Sequence, residues 1–289
     1  MSSKPIRSPV KWHGGKHYLC HRIIDLFPPH NTYVEPFGGG ASVLLNKEPS
    51  PVEVYNDLDH AITRLFRVIR DDPDRFQKLL ALTPYSEVEF GSDLPETTDE
   101  TELARRDFVR WRMSLGGRGK AFSYTKHRVR RGMADVVSGY LSIIDEVLPE
   151  IVERLRSVQL IERSAKDVIR LWDSPDTLFY CDPPYVHSTR NKRTLDAYGV
   201  EMTEADHREL ADALRRVTGR VILSGYPSAL YDELYGDWHY LDCEIANHAS
   251  STATKSRMTE RLWCNWDVSS IASQAAEPGD GAKEGLLWQ

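Results

Sequence analysis

A doubly wound, mostly parallel α/β sheet with a helical insertion is the fold class this sequence predicts, and three observations predict it. Short β-rich runs alternate with helical periodicities near both ends of the 289 residues. The first run, TYVEPF (32–37), stops on Gly38-Gly39-Gly40 and is followed by a helical pattern and a second run, VEVYND (52–57). Strand, glycine turn, helix and strand is how such sheets begin. Between about Pro73 and Leu155 the alternation is lost; helical periodicity takes over and no strand is expected.

The elements follow in order. Leu19, Ile23 and Phe27 recur at helical spacing, and that helix must end before Pro28-Pro29. ASVLLNK (41–47) reads as a helix opening on the glycines, and Ile62, Leu65, Phe66 and Ile69 as the apolar face of another. Alternation resumes with SVQLIE (157–162), a short helix from Ala165, and the strand TLFYCD (177–182). Thr203 and Asp206 form a capping box for a helix with Leu210, Leu214 and Val217 on one face, closed by Gly219. RVILSGY (220–226), WHYLDCEIA (238–246) and RLWCNWD (261–267) complete the sheet. The expected organisation is a discontinuous sheet domain, 1–70 and 156–268, a helical domain at 71–155, and a flexible tail at 269–289.

Composition narrows the class. Hydrophobic residues make up 40% of the chain, enough for a sizeable core, and no run approaches the length of a membrane span. The first residues lack the apolar core of a secretory signal, so a cytoplasmic protein is expected. Cys20, Cys181, Cys243 and Cys264 form no C-x-x-C pair, which favours buried, reduced thiols over a zinc site or disulfides. The net charge of −6 disfavours a polyanionic partner, but screening makes local clustering decisive. Between Asp107 and Asp135 stand Arg110, Arg112, Arg118, Lys120, Lys126, Arg128, Arg130 and Arg131 with no acid among them. Such a block suits phosphates; a solvated helix face is the alternative.

Ligands of open α/β sheets collect beyond the carboxyl ends of the strands. Gly38-Gly39-Gly40, Asp57 and Asp182 each follow a predicted strand. Consecutive glycines let a backbone approach a ligand, and an acid ending the next strand accepts from both hydroxyls of a ribose, as for a nucleoside-bearing cofactor. A plain tight turn is the competing reading of the glycines. In CDPPY (181–185) each proline removes an N–H donor, leaving the Asp182 carboxylate and a main-chain carbonyl as a rigid acceptor pair suited to an amino group. Tyr185 adds a face for stacking.

These residues resemble a family. KWHGGK (11–16), VEPFGGGAS (34–42), YNDLD (55–59) and CDPPY (181–185) stand in the order seen in Dam-like, D12-class DNA adenine N6-methyltransferases. The resemblance implies a Rossmann-like methyltransferase fold, S-adenosylmethionine as cofactor, no metal, and double-stranded DNA as substrate. It implies that Trp12, Lys16, Phe37, Gly38, Gly40, Asp57, Asp167 and Asp182 contact the cofactor, and that Asp182, Pro183, Pro184 and Tyr185 form the reaction centre. Residues 71–155 would be the target-recognition domain, with Arg118, Lys120, Lys126, Arg128, Arg130 and Arg131 on DNA. GGRGKAFSYTKHRVRRGM (116–133) departs from the DNA-reading hairpin of the bacterial housekeeping members, so no target sequence is implied.

The expected reaction is direct methyl transfer to an adenine flipped out of the duplex, by a monomer, with a dimer on DNA as the alternative. Methylation of cytosine N4 or of RNA adenine is the nearest rival. A catalytically silent DNA-binding regulator is the rival from another class.

Overall fold

A computed structural model of the chain describes residues 5–12, 14–91, 94–186, 201–246 and 257–268. The expected tail at 269–289 lies outside the described residues. In chain order the elements are α1 (Cys20–Ile24), β1 (Thr32–Glu35), β2 (Val52–Asn56), α2 (His60–Asp71), α3 (Pro73–Ala81), α4 (Glu87–Phe90) and α5 (Glu100–Arg112). Then come β3 (Val129–Arg130), β4 (Met133–Ala134), α6 (Asp135–Ser142), a π turn (Ile143–Val147), α7 (Leu148–Leu155), β5 (Val158–Ile161) and α8 (Ala165–Trp172). The last are β6 (Thr177–Cys181), α9 (Glu204–Leu214), β7 (Arg220–Gly225), α10 (Ala229–Tyr235), β8 (His239–Ala246) and β9 (Arg257–Cys264).

Seven strands form one mixed sheet in the order β5-β2-β1-β6-β7-β9-β8. The first five are parallel, and β9 runs antiparallel between β7 and β8. The chain leaves β1 toward β2 and β5 on one side and later returns to build β6 and β7 on the other. The order therefore reverses between β1 and β6, which opens a crevice at the carboxyl ends of the strands.

Strand alternation sorts side chains between two hydrophobic clusters, one on each face. Tyr33, Tyr55, Leu178, Tyr180 and Ile222 pack with α1, α2, α5 and α7, while Val34, Val54, Phe179, Cys181 and Val221 pack with α8, α9 and α10. All five residues of β6 are buried, as in a central strand covered on both faces. The expected apolar face of α2 is buried, and the Thr203–Asp206 capping box starts α9. All four cysteines are buried free thiols.

Three local expectations are corrected. ASVLLNK forms turns and no α-helix: Ala41 has a left-handed φ of 56°, and the Asn46 amide bonds to Ile6 and Ser42 carbonyls. Gly219 does not close α9, which ends at Leu214 with Arg215 as its cap. It sits where a Cβ would lie 2.7 Å from the Thr177 carbonyl oxygen, so only glycine lets β7 start so close to β6. Lastly, a strand pair exists within 73–155. Val129–Arg130 and Met133–Ala134 form a hairpin across Arg131 and Gly132, both with positive φ, and two-residue strands are too short to show alternation in sequence. The helices of this segment contribute Phe108, Tyr140, Ile144 and Ile151 to the same cluster as Tyr33 and Tyr55 of the sheet.

Candidate active site

The crevice holds a cleft of about 230 Å³. Of the residues expected at a cofactor site, Trp12, Lys16, Phe37, Gly38, Gly40, Asp57 and Asp182 all line it, and so does Pro184 from the expected reaction centre. Segments far apart in sequence meet there because β1, β2 and β6 are adjacent and end at one level.

The glycine turn is built by close packing. A Cβ on Gly38 would lie 2.2 Å from the Tyr55 ring, and Gly39, at φ +46, would place one 2.4 Å from the Trp12 indole nitrogen. Side chains there would push Trp12 and Tyr55 out of place, so the glycines serve the wall as well as any ligand. The Asp57 carboxylate braces the turn: Oδ2 accepts from the Gly39 amide at 2.8 Å and Oδ1 from the Asp59 amide at 2.9 Å. Burial raises its carboxyl to about 6 despite these bonds.

Glu35, at the end of β1, also lines the cleft. It accepts a 2.6 Å hydrogen bond from the Tyr33 hydroxyl, and burial pushes its carboxyl up to about 8. The motif VEPFGGG contains it, but a glutamate in a strand reads as a surface residue until burial is known.

At the other end of the cleft, Lys16 donates to both Asp182 oxygens at 2.7 Å and to the Gly14 carbonyl at 2.9 Å. Burial disfavours the Lys16 ammonium, but Asp182 and Glu260 outweigh it and hold its pKa well above the ordinary lysine value. Ser224, at the end of β7, donates to Asp182 Oδ1 at 2.8 Å and meets the Tyr180 hydroxyl at 3.2 Å. Ser224 was invisible in sequence because RVILSGY reads only as a strand.

Tyr185, the expected stacking face, is buried. Its hydroxyl donates to Glu260, its ring lies 4.5 Å from that of Tyr226, and the Lys16 ammonium sits 4.9 Å from its centroid. Pro183 is buried beside it. Asp167 does not join the cleft. Its carboxylate bonds to Ser164 and Arg170 on the exposed first turn of α8, while Ser164, Ala165 and Lys166 do line the cleft.

The basic segment divides in two. Arg112 is inward-facing and donates to the Gly139 carbonyl, so it leaves the surface cluster. Burial lowers its pKa to about 10. Arg118, Lys120, Lys126, Arg128 and Arg131 are exposed, with Arg130 half-buried. Arg128 pairs with Asp135 at 3.1 Å and Arg131 with Glu146. Exposed Leu115, Tyr124, Val129 and Met133 lie in the same segment. Trp111 of α5 meets Trp12 edge to face at 5.6 Å and so joins this segment to the cleft wall.

The chain is similar to known proteins. The model of the family described as D12 class N6 adenine-specific DNA methyltransferase matches residues 12–100 and 142–252. The chain is 24% identical over 279 residues to the type II methyltransferase M1.LlaDCHI of Lactococcus lactis subsp. cremoris, covering 90% of this chain and 96% of that protein. It is 24% identical over 238 residues to a DNA adenine methylase of Salmonella typhi, covering 80% and 85%. It is likewise 24% identical over 287 residues to the retron Ec67 DNA adenine methylase of Escherichia coli, covering 90% and 94%.

Proposed function

The chain belongs to the D12 class of N6 adenine-specific DNA methyltransferases, enzymes whose methyl donor is S-adenosylmethionine, and on that premise we propose how its residues divide the work. The reaction is site-specific methylation of adenine N6 in DNA. The observation that carries the division is that one cleft runs from the glycine turn and Asp57 to Asp182.

The residues present fit the cofactor. Asp57 lines the cleft with a carboxylate that can accept from ribose hydroxyls, the glycine turn admits close backbone approach, and Trp12 and Phe37 supply apolar walls. Lys16 is the cation suited to the carboxylate of the methionine portion. When bound, the cofactor supplies an electrophilic methyl group.

The chain's own task is to prepare the acceptor. The N6 lone pair of adenine is delocalised into the ring and makes a weak nucleophile. Hydrogen bonds from N6 to the Asp182 carboxylate and the Pro183 carbonyl favour a pyramidal nitrogen and aim its lone pair. Asp182 is already engaged by Lys16 and Ser224, so N6 competes with Lys16 for the same oxygens. No enzyme nucleophile is required. Because N6 is enclosed in the duplex, the base is extruded and received at Tyr185.

Residues 71–155 act as the target-recognition region, and Arg118, Lys120, Lys126, Arg128, Arg130 and Arg131 hold DNA. The hairpin turn at Arg131-Gly132 and its exposed apolar neighbours support this reading. A monomer suffices for it.

The test is to incubate the protein with S-adenosylmethionine and mixed-sequence DNA and map modified bases by sequencing. N6-methyladenine within one sequence context is expected. Methylated cytosine, or methylation that persists in Asp182→Ala, would overturn the assignment of roles.

A further inference from the structure

Glu260, on β9, belongs to none of the recognised motifs, yet its carboxylate is fully buried beside the acceptor end of the cleft. Oε1 accepts the Tyr185 hydroxyl and lies 3.5 Å from the Lys16 ammonium. Oε2 is buried with no hydrogen-bond partner among the described residues. Burying a carboxylate is costly, and a side chain needed only to fill this space would be better apolar. The groups it holds are Lys16 and Tyr185, and the Tyr185 ring also meets that of Tyr226 at 4.5 Å and the Lys16 ammonium at 4.9 Å.

We propose that Glu260 is a positioning residue for methyl transfer: by accepting the Tyr185 hydroxyl, it fixes the position of the tyrosine ring that receives the target base. The inference rests on the reading of Asp182 and Tyr185 as the acceptor site. The hydroxyl oxygen lies on the axis of the ring's second torsion, so anchoring it fixes the first torsion and the position of the ring's far end, while Tyr226 and Lys16 pack against its faces. A hydroxyl anchored on a buried carboxylate places the ring before the base arrives, which is where a small misplacement costs most rate.

The test compares full-length Glu260→Ala, Glu260→Gln, Tyr185→Phe and the double variant Tyr185→Phe/Glu260→Ala. Kcat and KM for DNA are measured beside cofactor affinity by calorimetry. Glu260→Ala should lower kcat roughly ten- to a hundredfold, the loss of one charge-assisted hydrogen bond; cofactor affinity should be unchanged in Tyr185→Phe, which leaves the Glu260–Lys16 pair in place. Glu260→Gln, whose amide oxygen still accepts from Tyr185, should recover most of kcat. Tyr185→Phe should reproduce the loss, and the double variant should be no slower than either single one. Wild-type kcat in Glu260→Ala, or a double variant slowed by the product of the single losses, overturns the proposal. If Glu260→Ala does not fold, wild-type kcat in Tyr185→Phe overturns it, and a loss in Tyr185→Phe that Glu260→Gln does not deepen supports it. An active Asp182→Ala enzyme would instead remove the acceptor site itself.

Discussion

Two charged regions of this molecule use the same chemistry under opposite conditions. At the cleft, Lys16 and Glu260 have side chains only 3% and 0% exposed, and they converge with Asp182. At the hairpin, Arg128 is 59% and Arg131 51% exposed against Asp135 and Glu146. Buried ions that lose their partner are left uncompensated, so the cleft cluster is locked into one geometry. Exposed pairs are screened and contribute little, so the hairpin arginines can exchange a carboxylate for a phosphate with small loss. The first arrangement suits a reacting group, which must be placed accurately, and the second suits a long polyanion.

The largest effect should come from the cleft. Asp182→Ala is expected to lower turnover by about a hundred- to a thousandfold, as for loss of a preorganised electrostatic partner, while cofactor binding is retained in part. Asp182→Asn, keeping one acceptor oxygen, should fall between. Steady-state kinetics with saturating DNA decide it, and near-normal turnover in the alanine variant would dissolve the distinction between the two regions.

Next in size, Asp57→Ala should weaken cofactor binding by about 1.5–3 kcal/mol, the worth of hydrogen bonds to a charged group. Burial raises the Asp57 carboxyl to about 6, so it is ionised at pH 7 and becomes protonated as the pH falls below that value. Cofactor affinity should therefore drop between pH 7 and 5 in the wild type. Calorimetry on Asp57→Asn should show a flatter profile; an unchanged one would remove Asp57 from the dependence.

For the exposed region, replacing Arg128, Arg130 and Arg131 by Ala should flatten the dependence of log affinity for DNA on log salt by about 0.9 per lost phosphate contact. Cofactor affinity and thermal midpoint should stay the same. Identical slopes would reduce the hairpin to ordinary surface.

The smallest effect concerns a buried acid whose desolvation outweighs the Tyr33 hydrogen bond and the charge of Lys47. Burial raises the Glu35 carboxyl from 4.5 to about 8, so the folded state binds its proton more tightly than the unfolded chain. Its contribution to stability is full below about pH 4.5 and is lost as the pH rises through 8. Thermal unfolding of Glu35→Gln should show less loss between pH 5 and pH 8.5 than the wild type; parallel curves would mean that the carboxyl titrates normally.

Much of this was legible in the chain. TYVE, VEVYN and TLFYC carry strand composition and end on glycines or acids, so their fold class and the ends that bear ligands follow from local pattern. The small hairpin escaped because four paired residues make no periodicity. Glu260 escaped because it stands one residue before the run RLWCNWD that reads as a strand, and Arg112 counted as surface because a basic block shows no inside or outside.

The sequence by itself determined a mostly parallel α/β sheet with candidate ligand residues at its strand ends, because side-chain period and turn chemistry act over a few residues. Only the tertiary structure decided which charges meet. Lys16 and Asp182 are 166 residues apart, Tyr185 and Glu260 are 75 apart, and Asp167 points away from a cleft that its own helix helps to line. Ion pairing and burial depend on distance through space and on the dielectric around each group, and neither is a property of spacing along the chain.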